Sequence, residues 1–375
     1  MLTICYTDGM SLSIGIVGLP NVGKSTLFNA LTKNNILAAN YPFATIEPNT
    51  GIVSVPDTRL KQLSDLYNGA PIVPATVSFV DIAGLVKGAS KGEGLGNQFL
   101  ANIRECSALV HIVRAFENND IVHVHETIQP EQDIEVINTE LMLADLQTVE
   151  KALPRLGKEA KANPKNKPTV VLVEAIKNLL ESGDSAAIQE HIQKQDPESN
   201  EMLELKSLQL ISTKPVIYVF NVDESDLSND GKKKSLQQIV SPAQSLFVNA
   251  QLESELKDMS DSEAKEMLES YGQSESGLNQ VIHAAYKTLG LQSYLTAGDK
   301  EVRAWTIRQG STAPQAAGVI HGDFERGFIA AEVVACQDLL EAGSISLAKS
   351  SGKVRTEGKT YIMQPDDVVE FRFNV

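Results

Sequence analysis

No apolar run in this sequence approaches the roughly 20 residues needed to cross a membrane, and the first residues lack the basic segment and apolar core of a secretory signal. A cytoplasmic protein, with no membrane partner, is the expectation. Cysteine is scarce: Cys5, Cys106 and Cys336 are isolated and odd in number, which suggests neither a disulfide framework nor a C-x-x-C metal site. They read as reduced, mostly buried thiols. Positive charge is in deficit, 33 Lys and Arg against 48 Asp and Glu, for a formal net charge of -15. Such a mean field repels phosphate and opposes indiscriminate adhesion to nucleic acid; no sequence-specific DNA binding is expected. Only a local basic patch could reverse that. Internal repeats and long low-complexity segments are absent too. What remains is an ordinary globular composition, 42% hydrophobic and 22% charged, in 375 residues, enough for two or three domains.

The pattern present is an alternation of short apolar runs with helix-length segments. Ile14 to Val17 ends at Gly18 and is followed by a glycine-containing turn and the helical spacing of Leu27, Phe28 and Leu31, which predicts strand, phosphate loop, helix. Residues 1–9 show no useful pattern and read as a mis-set start or a short frayed tail before Met10. Further strand-like runs at Thr76 to Val80, Leu109 to Val113, Val216 to Phe220 and Leu246 to Val248 predict an α/β fold with a mostly parallel sheet covered by helices on both faces.

Between about residues 131 and 211 the period becomes helical. Ile134, Ile137, Leu141 and Ala144 share one stripe, and Leu172, Ile176, Leu179 and Leu180 resume it after N-P-K-N-K-P, as two antiparallel helices joined at Pro164 to Pro168 would require. Near that turn Arg155, Lys158, Lys161, Lys165 and Lys167 stand against Glu159 alone. They form either a solvated helix end suited to its dipole or a basic tip that touches RNA phosphates. After roughly residue 291 comes a small α+β module: K-E-V-R-A-W-T-I as a strand, a short helix with Thr312 as cap and Pro314 in its first turn, and V-V-E-F-R-F-N-V as a closing strand. The expected domains are 10–130 with 212–291, an insertion at 131–211, and 292–375.

Gly18-Leu19-Pro20-Asn21-Val22-Gly23-Lys24-Ser25-Thr26 fits G-x-x-x-x-G-K-S in full. Its backbone N–H groups, including those of Asn21, Val22, Gly23 and Thr26, can curl around phosphate oxygens. Lys24 can reach the outer phosphates, and the Ser25 hydroxyl can ligate Mg²⁺. Asp81 closes the run V-S-F-V and precedes I-A-G, a place from which a carboxylate can hold Mg²⁺ and the Gly84 N–H can meet a γ-phosphate. Between the two motifs, Y-P-F-A-T-I-E-P offers Thr45 as a third oxygen ligand for the metal. The position after Gly84, often a water-orienting glutamine, is Leu85. Either nucleotide is not hydrolysed or something else positions the water.

Asn221-Val222-Asp223-Glu224 follows a strand where guanine-specific proteins have N-K-x-D. With Val222 for the lysine stem and Glu224 one methylene longer than aspartate, the geometric case for guanine weakens. Asn249-Ala250-Gln251 lies where a second base-contacting loop would fall. Asn21 is read either as a turn-stabilising residue or as a holder of K⁺ beside the phosphates.

With these residues in hand, the sequence resembles the YchF family, the Obg-like ATPases, from about Met10 to Val375. The resemblance rests on G-L-P-N-V-G-K-S-T, N-Y-P-F-A-T-I-E-P-N, D-I-A-G-L-V-K-G-A-S-K-G-E-G-L-G-N-Q-F-L, N-V-D-E, R-A-W-T-I and A-P-Q-A-A-G-V-I-H-G-D-F. It implies a P-loop G domain interrupted by a helical coiled-coil arm and followed by a TGS domain of ubiquitin-like shape. It also implies slow Mg²⁺-dependent hydrolysis, ATP preferred over GTP, and association with the ribosome or ribosomal RNA. The family lacks the water-orienting glutamine, and the histidine proposed to replace it matches His123. His111, inside an apolar strand, reads instead as a packed core side chain. Two rivals stay open: a GTP-specific translation GTPase and a nonhydrolytic nucleotide-dependent scaffold.

Overall fold

The computed structural model describes residues 12–33, 49–82, 95–117, 128–196, 198–256 and 259–374. The chain divides into two compact units, one of Met10–Gly51 and Ser78–Val281, the other built on Ile52–Val77 and Ile282–Val375.

Strands β1 (Ser13–Val17), β2 (Thr50–Ser54), β4 (Thr76–Asp81), β5 (Ala108–Ala115), β6 (Val216–Val222) and β7 (Gln244–Val248) form one sheet in the order β2-β4-β1-β5-β6-β7. The β1/β4, β1/β5, β5/β6 and β6/β7 pairs are all parallel, as the alternation of runs predicts. The chain leaves β1 toward one side of the sheet for β4 and reaches the other side for β5. That makes the carboxyl end of β1 a topological switch point, where open α/β sheets bind ligands. Register does the rest: Ile16 pairs with Asp81, Val17 with His111 and Arg114 with Asn221. The end of β4, the end of β6 and the turn after β1 therefore share one edge. Beneath it Val113, Phe220, Val222, Leu227 and Leu252 pack together.

The insertion begins with the helix Pro130–Ala162, 33 residues long and so about 50 Å at 1.5 Å per residue. A short 3-10 turn, Pro164–Asn166, leads into the helix Lys167–Ser182. The two pack as a hairpin on Val149, Leu156, Val173, Ile176 and Leu180, and the helices Ser185–Gln193 and Asn200–Ser207 add Ile188 and Leu205 to that cluster. At the hairpin's base the fully buried Asp145 carboxylate accepts from the Ser212 N–H and hydroxyl, both at 2.7 Å. Arg104, closing the helix Leu95–Glu105, donates to Asp145, to the Ala144 and Gln209 carbonyls and to Thr148.

The smaller unit holds β3 (Ile72–Val73), β8 (Leu291–Ala297), β9 (Val302–Arg308), β10 (Phe328–Ala335), β11 (Arg355–Glu357) and β12 (Asp367–Phe373), in the order β11-β10-β12-β8-β9-β3. The helix Ala313–Ile320 packs on it through Ala313, Ala316 and Ala317 against Tyr294, Phe328 and Val333. Thr312 caps that helix in a reciprocal pairing with Gln315. The sequence alone places residues 52–77 and 282–291 in the first domain, whereas in the structure they belong to this unit. The reason is pairing: β3 joins β9, and Arg59 donates to the Pro365 carbonyl and Asp366.

Candidate functional site

The turn after β1 is shaped by two close approaches. Gly23 sits at φ +93°, a region that favours glycine, and a Cβ there would lie 2.4 Å from the Asn221 Nδ2. A Cβ on Gly18 would lie 2.7 Å from the Ile112 carbonyl oxygen. Asn21 holds φ +62°, which asparagine tolerates better than most residues. The helix Lys24–Lys33 then starts with the Leu27 N–H on the Gly23 carbonyl, so its N-terminal end faces the turn, the arrangement that suits phosphate. Val22 is buried, whereas Ser25 and Thr26 are exposed. The Lys24 Nζ meets the Asp81 Oδ1 at 2.5 Å. Residues 57 positions apart thus meet, and Ser25 follows Lys24 at the same helix end. A hydroxyl and a carboxylate are hard oxygen donors, and a cation that keeps several waters and takes the rest of its ligands from phosphates, as Mg²⁺ does, fits that set.

Asn221 joins this cradle to the second loop. Buried at 3% exposure, it donates from Nδ2 to the Val22 carbonyl at 3.0 Å and accepts at Oδ1 from the Ala250 N–H at 3.1 Å. Asn249 donates to the Val222 carbonyl at 2.7 Å and accepts from the Leu252 N–H at 2.7 Å, capping the helix Ala250–Leu256. The Val222 side chain is in the hydrophobic cluster, so this position turns backbone, not a stem, toward the edge. Gln251 is exposed and bonds Glu255. Glu224 opens a 3-10 turn, and its Oε2 accepts from the Tyr271 hydroxyl at 2.9 Å.

Thr45, Gly84, Leu85 and His123 lie outside the described residues. His111 is buried beside Tyr218, ring centroids 5.3 Å apart, and burial pushes its pKa down to about 3; it is a neutral core side chain, as its strand context implies. At the hairpin turn, Arg155 is bound by Glu159 and Glu204. Lys158, Lys161, Lys165 and Lys167 are exposed and, among the described residues, enter no ion pair. Two residues that bond to elements of the candidate site have no signal in local sequence. Tyr271 stands 47 residues beyond its partner Glu224. Glu253 is buried, accepts from the Gly277 N–H at 2.6 Å, and is pushed by burial up to about 7.

A phosphate-binding turn at the switch point, a carboxylate at the neighbouring strand end and a base-side loop pinned by Asn221 define a G domain of the P-loop class. Comparison with known proteins agrees. Residues 13–173 match the family model of a 50S ribosome-binding GTPase, and residues 291–374 match YchF-GTPase_C, described as a protein of unknown function. A Pasteurella multocida protein named Ribosome-binding ATPase YchF is 51% identical over 98% of this chain and 100% of its own length. A Bacillus subtilis protein of the same name is 49% identical with the same coverage. The solved structure of the Schizosaccharomyces pombe YchF GTPase matches with a TM-score of 0.81 at 38% identity, covering 97% of this chain and 98% of that one. The chain belongs to the YchF family. A GTP binding protein from Pyrococcus horikoshii, at 21% identity and TM-score 0.59 over 96% of this chain and 100% of that one, shares the fold.

Proposed function

We propose that this chain is a cytoplasmic, Mg²⁺-dependent ATP hydrolase of slow turnover that acts as a nucleotide switch on the ribosome. The observation that carries the nucleotide reading is the Asn221 side chain, which ties the phosphate turn to the base-side loop through Val22 and Ala250. Lys24 and the backbone of residues 21–26 would bind the phosphates, and Ser25 and Asp81, with Thr45, would hold Mg²⁺. The metal supplies charge neutralisation at the β- and γ-phosphates. K⁺ beside Asn21 is part of the same reading.

ATP over GTP rests on N-V-D-E: no lysine stem is available to cover a guanine, and the carboxylate of Glu224 is already engaged. The relatives' name, Ribosome-binding ATPase, supports both the base and the partner. The four exposed lysines at the hairpin turn give ribosomal RNA a place to dock on an otherwise acidic chain. Among the described residues no helix is long and apolar enough to cross a membrane.

His123 would orient or deprotonate the attacking water in place of a glutamine at Leu85. The test is competition binding of ATP and GTP at matched Mg²⁺, followed by single-turnover phosphate release from wild type and His123→Ala. GTP preference would overturn the base assignment. No phosphate release, with ribosomes present as well, would favour the scaffold that Leu85 permits. Unchanged release in His123→Ala would remove that residue from the chemistry.

A further inference from the structure

The Glu224 carboxylate stands where guanine-specific proteins use both oxygens of an aspartate to accept from the adjacent N1–H and exocyclic amine of the base. In this chain one of the two oxygens is occupied: the Tyr271 hydroxyl donates to Oε2 at 2.9 Å. The tyrosine is held in place from several sides. It caps the helix Asp261–Ser270, with its N–H on the Leu268 carbonyl at 3.1 Å, and packs against the cluster that contains Val222 and Leu227. The nearby Gln273 donates from Nε2 to the Leu227 carbonyl at 3.0 Å and from its N–H to the Leu268 carbonyl at 2.9 Å. The backbone that carries the phenol is therefore anchored at the helix end.

We propose that Tyr271 is a positioning residue for base choice. By holding Oε2 of Glu224 it fixes the carboxylate plane, leaving the other oxygen for the one exocyclic amine of adenine while turning the parallel oxygen pair away from the paired donors of guanine. The inference rests on the reading that Glu224 faces the base. It also gives the extra methylene a role, since an aspartate at 224 would fall short of the Tyr271 hydroxyl.

The test is equilibrium titration of the full chain with ATP and with GTP, both with Mg²⁺, for wild type, Tyr271→Phe, Glu224→Gln and the double variant. Freeing Oε2 adds one charge-assisted hydrogen bond to guanine, so Tyr271→Phe should raise the GTP-to-ATP affinity ratio about tenfold. In the Glu224→Gln background the same substitution should leave the ratio unchanged. Glu224→Asp, which withdraws the carboxylate without touching the tyrosine, should shift the ratio in the same direction as Tyr271→Phe. A structural lesion would weaken both nucleotides alike; an unchanged ratio, or a shift that persists in the Glu224→Gln background, overturns the proposal. Wild type preferring GTP would refute the ATP reading above, whereas the role of Tyr271 is judged only on the shift.

Discussion

Replacing Asn221 with alanine should damage fold and site together, by an amount that follows from its two hydrogen bonds. Its Nδ2 serves the Val22 carbonyl and its Oδ1 serves the Ala250 N–H, and the residue is 3% exposed, so water cannot simply replace it. A buried donor or acceptor left without its partner costs about 1–3 kcal/mol, and two such groups bring the expected loss to about 4 kcal/mol. At about 2–4 °C per kcal/mol for a unit of this size, the melting temperature should fall by about 8–16 °C. Calorimetric scans of the full chain measure this, and titration with ATP should show at least a tenfold weaker complex, because Val22 and Gly23 lie in the phosphate turn. Asn221→Asp keeps an acceptor for Ala250 but sets an oxygen against the Val22 carbonyl and a negative charge beside the phosphates. It should lose ATP binding more severely than the alanine variant. A melting temperature within about 2 °C of wild type, with unchanged ATP affinity, would refute the idea that this side chain holds the two loops together.

Gly23→Ala meets two obstacles, φ +93° and a Cβ 2.4 Å from the Asn221 Nδ2, and should cost about 1–3 kcal/mol of stability and abolish ATP binding in a calorimetric titration. Glu253, raised from its ordinary 4.5 to about 7 by burial, keeps a proton that the unfolded chain releases, so its contribution to stability falls as pH rises across that window; His111, lowered from 6.5 to about 3, acts in the opposite direction between those values. The two oppose each other between pH 4.5 and 6.5, and unfolding free energies of Glu253→Gln from urea titration should therefore climb with pH there by up to about 1.4 kcal/mol per unit more steeply than those of wild type. A variant with Lys158, Lys161, Lys165 and Lys167 replaced by alanine should bind ribosomes less tightly in sedimentation, with a salt slope shallower by up to about 0.7–0.9 for each phosphate the lysines no longer neutralise; an unchanged slope would exclude the hairpin turn as the RNA-binding tip.

Features written in short stretches of sequence are legible before any fold is known. The G-x-x-x-x-G-K-S turn, the carboxylate at the end of V-S-F-V, the hairpin broken at Pro164–Asn166 and the capped helix after Thr312 each follow from residues within a few positions of one another. Features that depend on which distant segment arrives are not. Val222 aligns with the lysine whose stem covers a base, yet β6 runs through it and the side chain joins the core. Arg155 reads as one of a cluster of basic charges, but Glu204, 49 residues away, binds it. The two-residue strand Ile72–Val73 carries no pattern that says which sheet it enters. Tyr271 has no motif at all; only the fold brings its hydroxyl to Glu224.

The hairpin is not a loosely attached appendage, and the reason lies in buried charge. A carboxylate as buried as Asp145 is costly unless it is fully bonded. Burial raises its pKa, and the Ser212 hydrogen bonds and the Arg104 guanidinium work against that rise. Lys214, lowered to about 8 by burial, donates to the Arg104 and Cys106 carbonyls at the end of the helix Leu95–Glu105. That helix is the first described element after the D-x-x-G segment, and its last turn is bound on one side to the hairpin through Asp145, Ala144 and Thr148 and on the other to the strand entry at Lys214. Tilting the hairpin would strip bonds from a buried carboxylate and its guanidinium partner at once, at a cost of several kcal/mol. The last turn of the helix Leu95–Glu105 and the base of the hairpin are thus tied to each other by side-chain and backbone bonds.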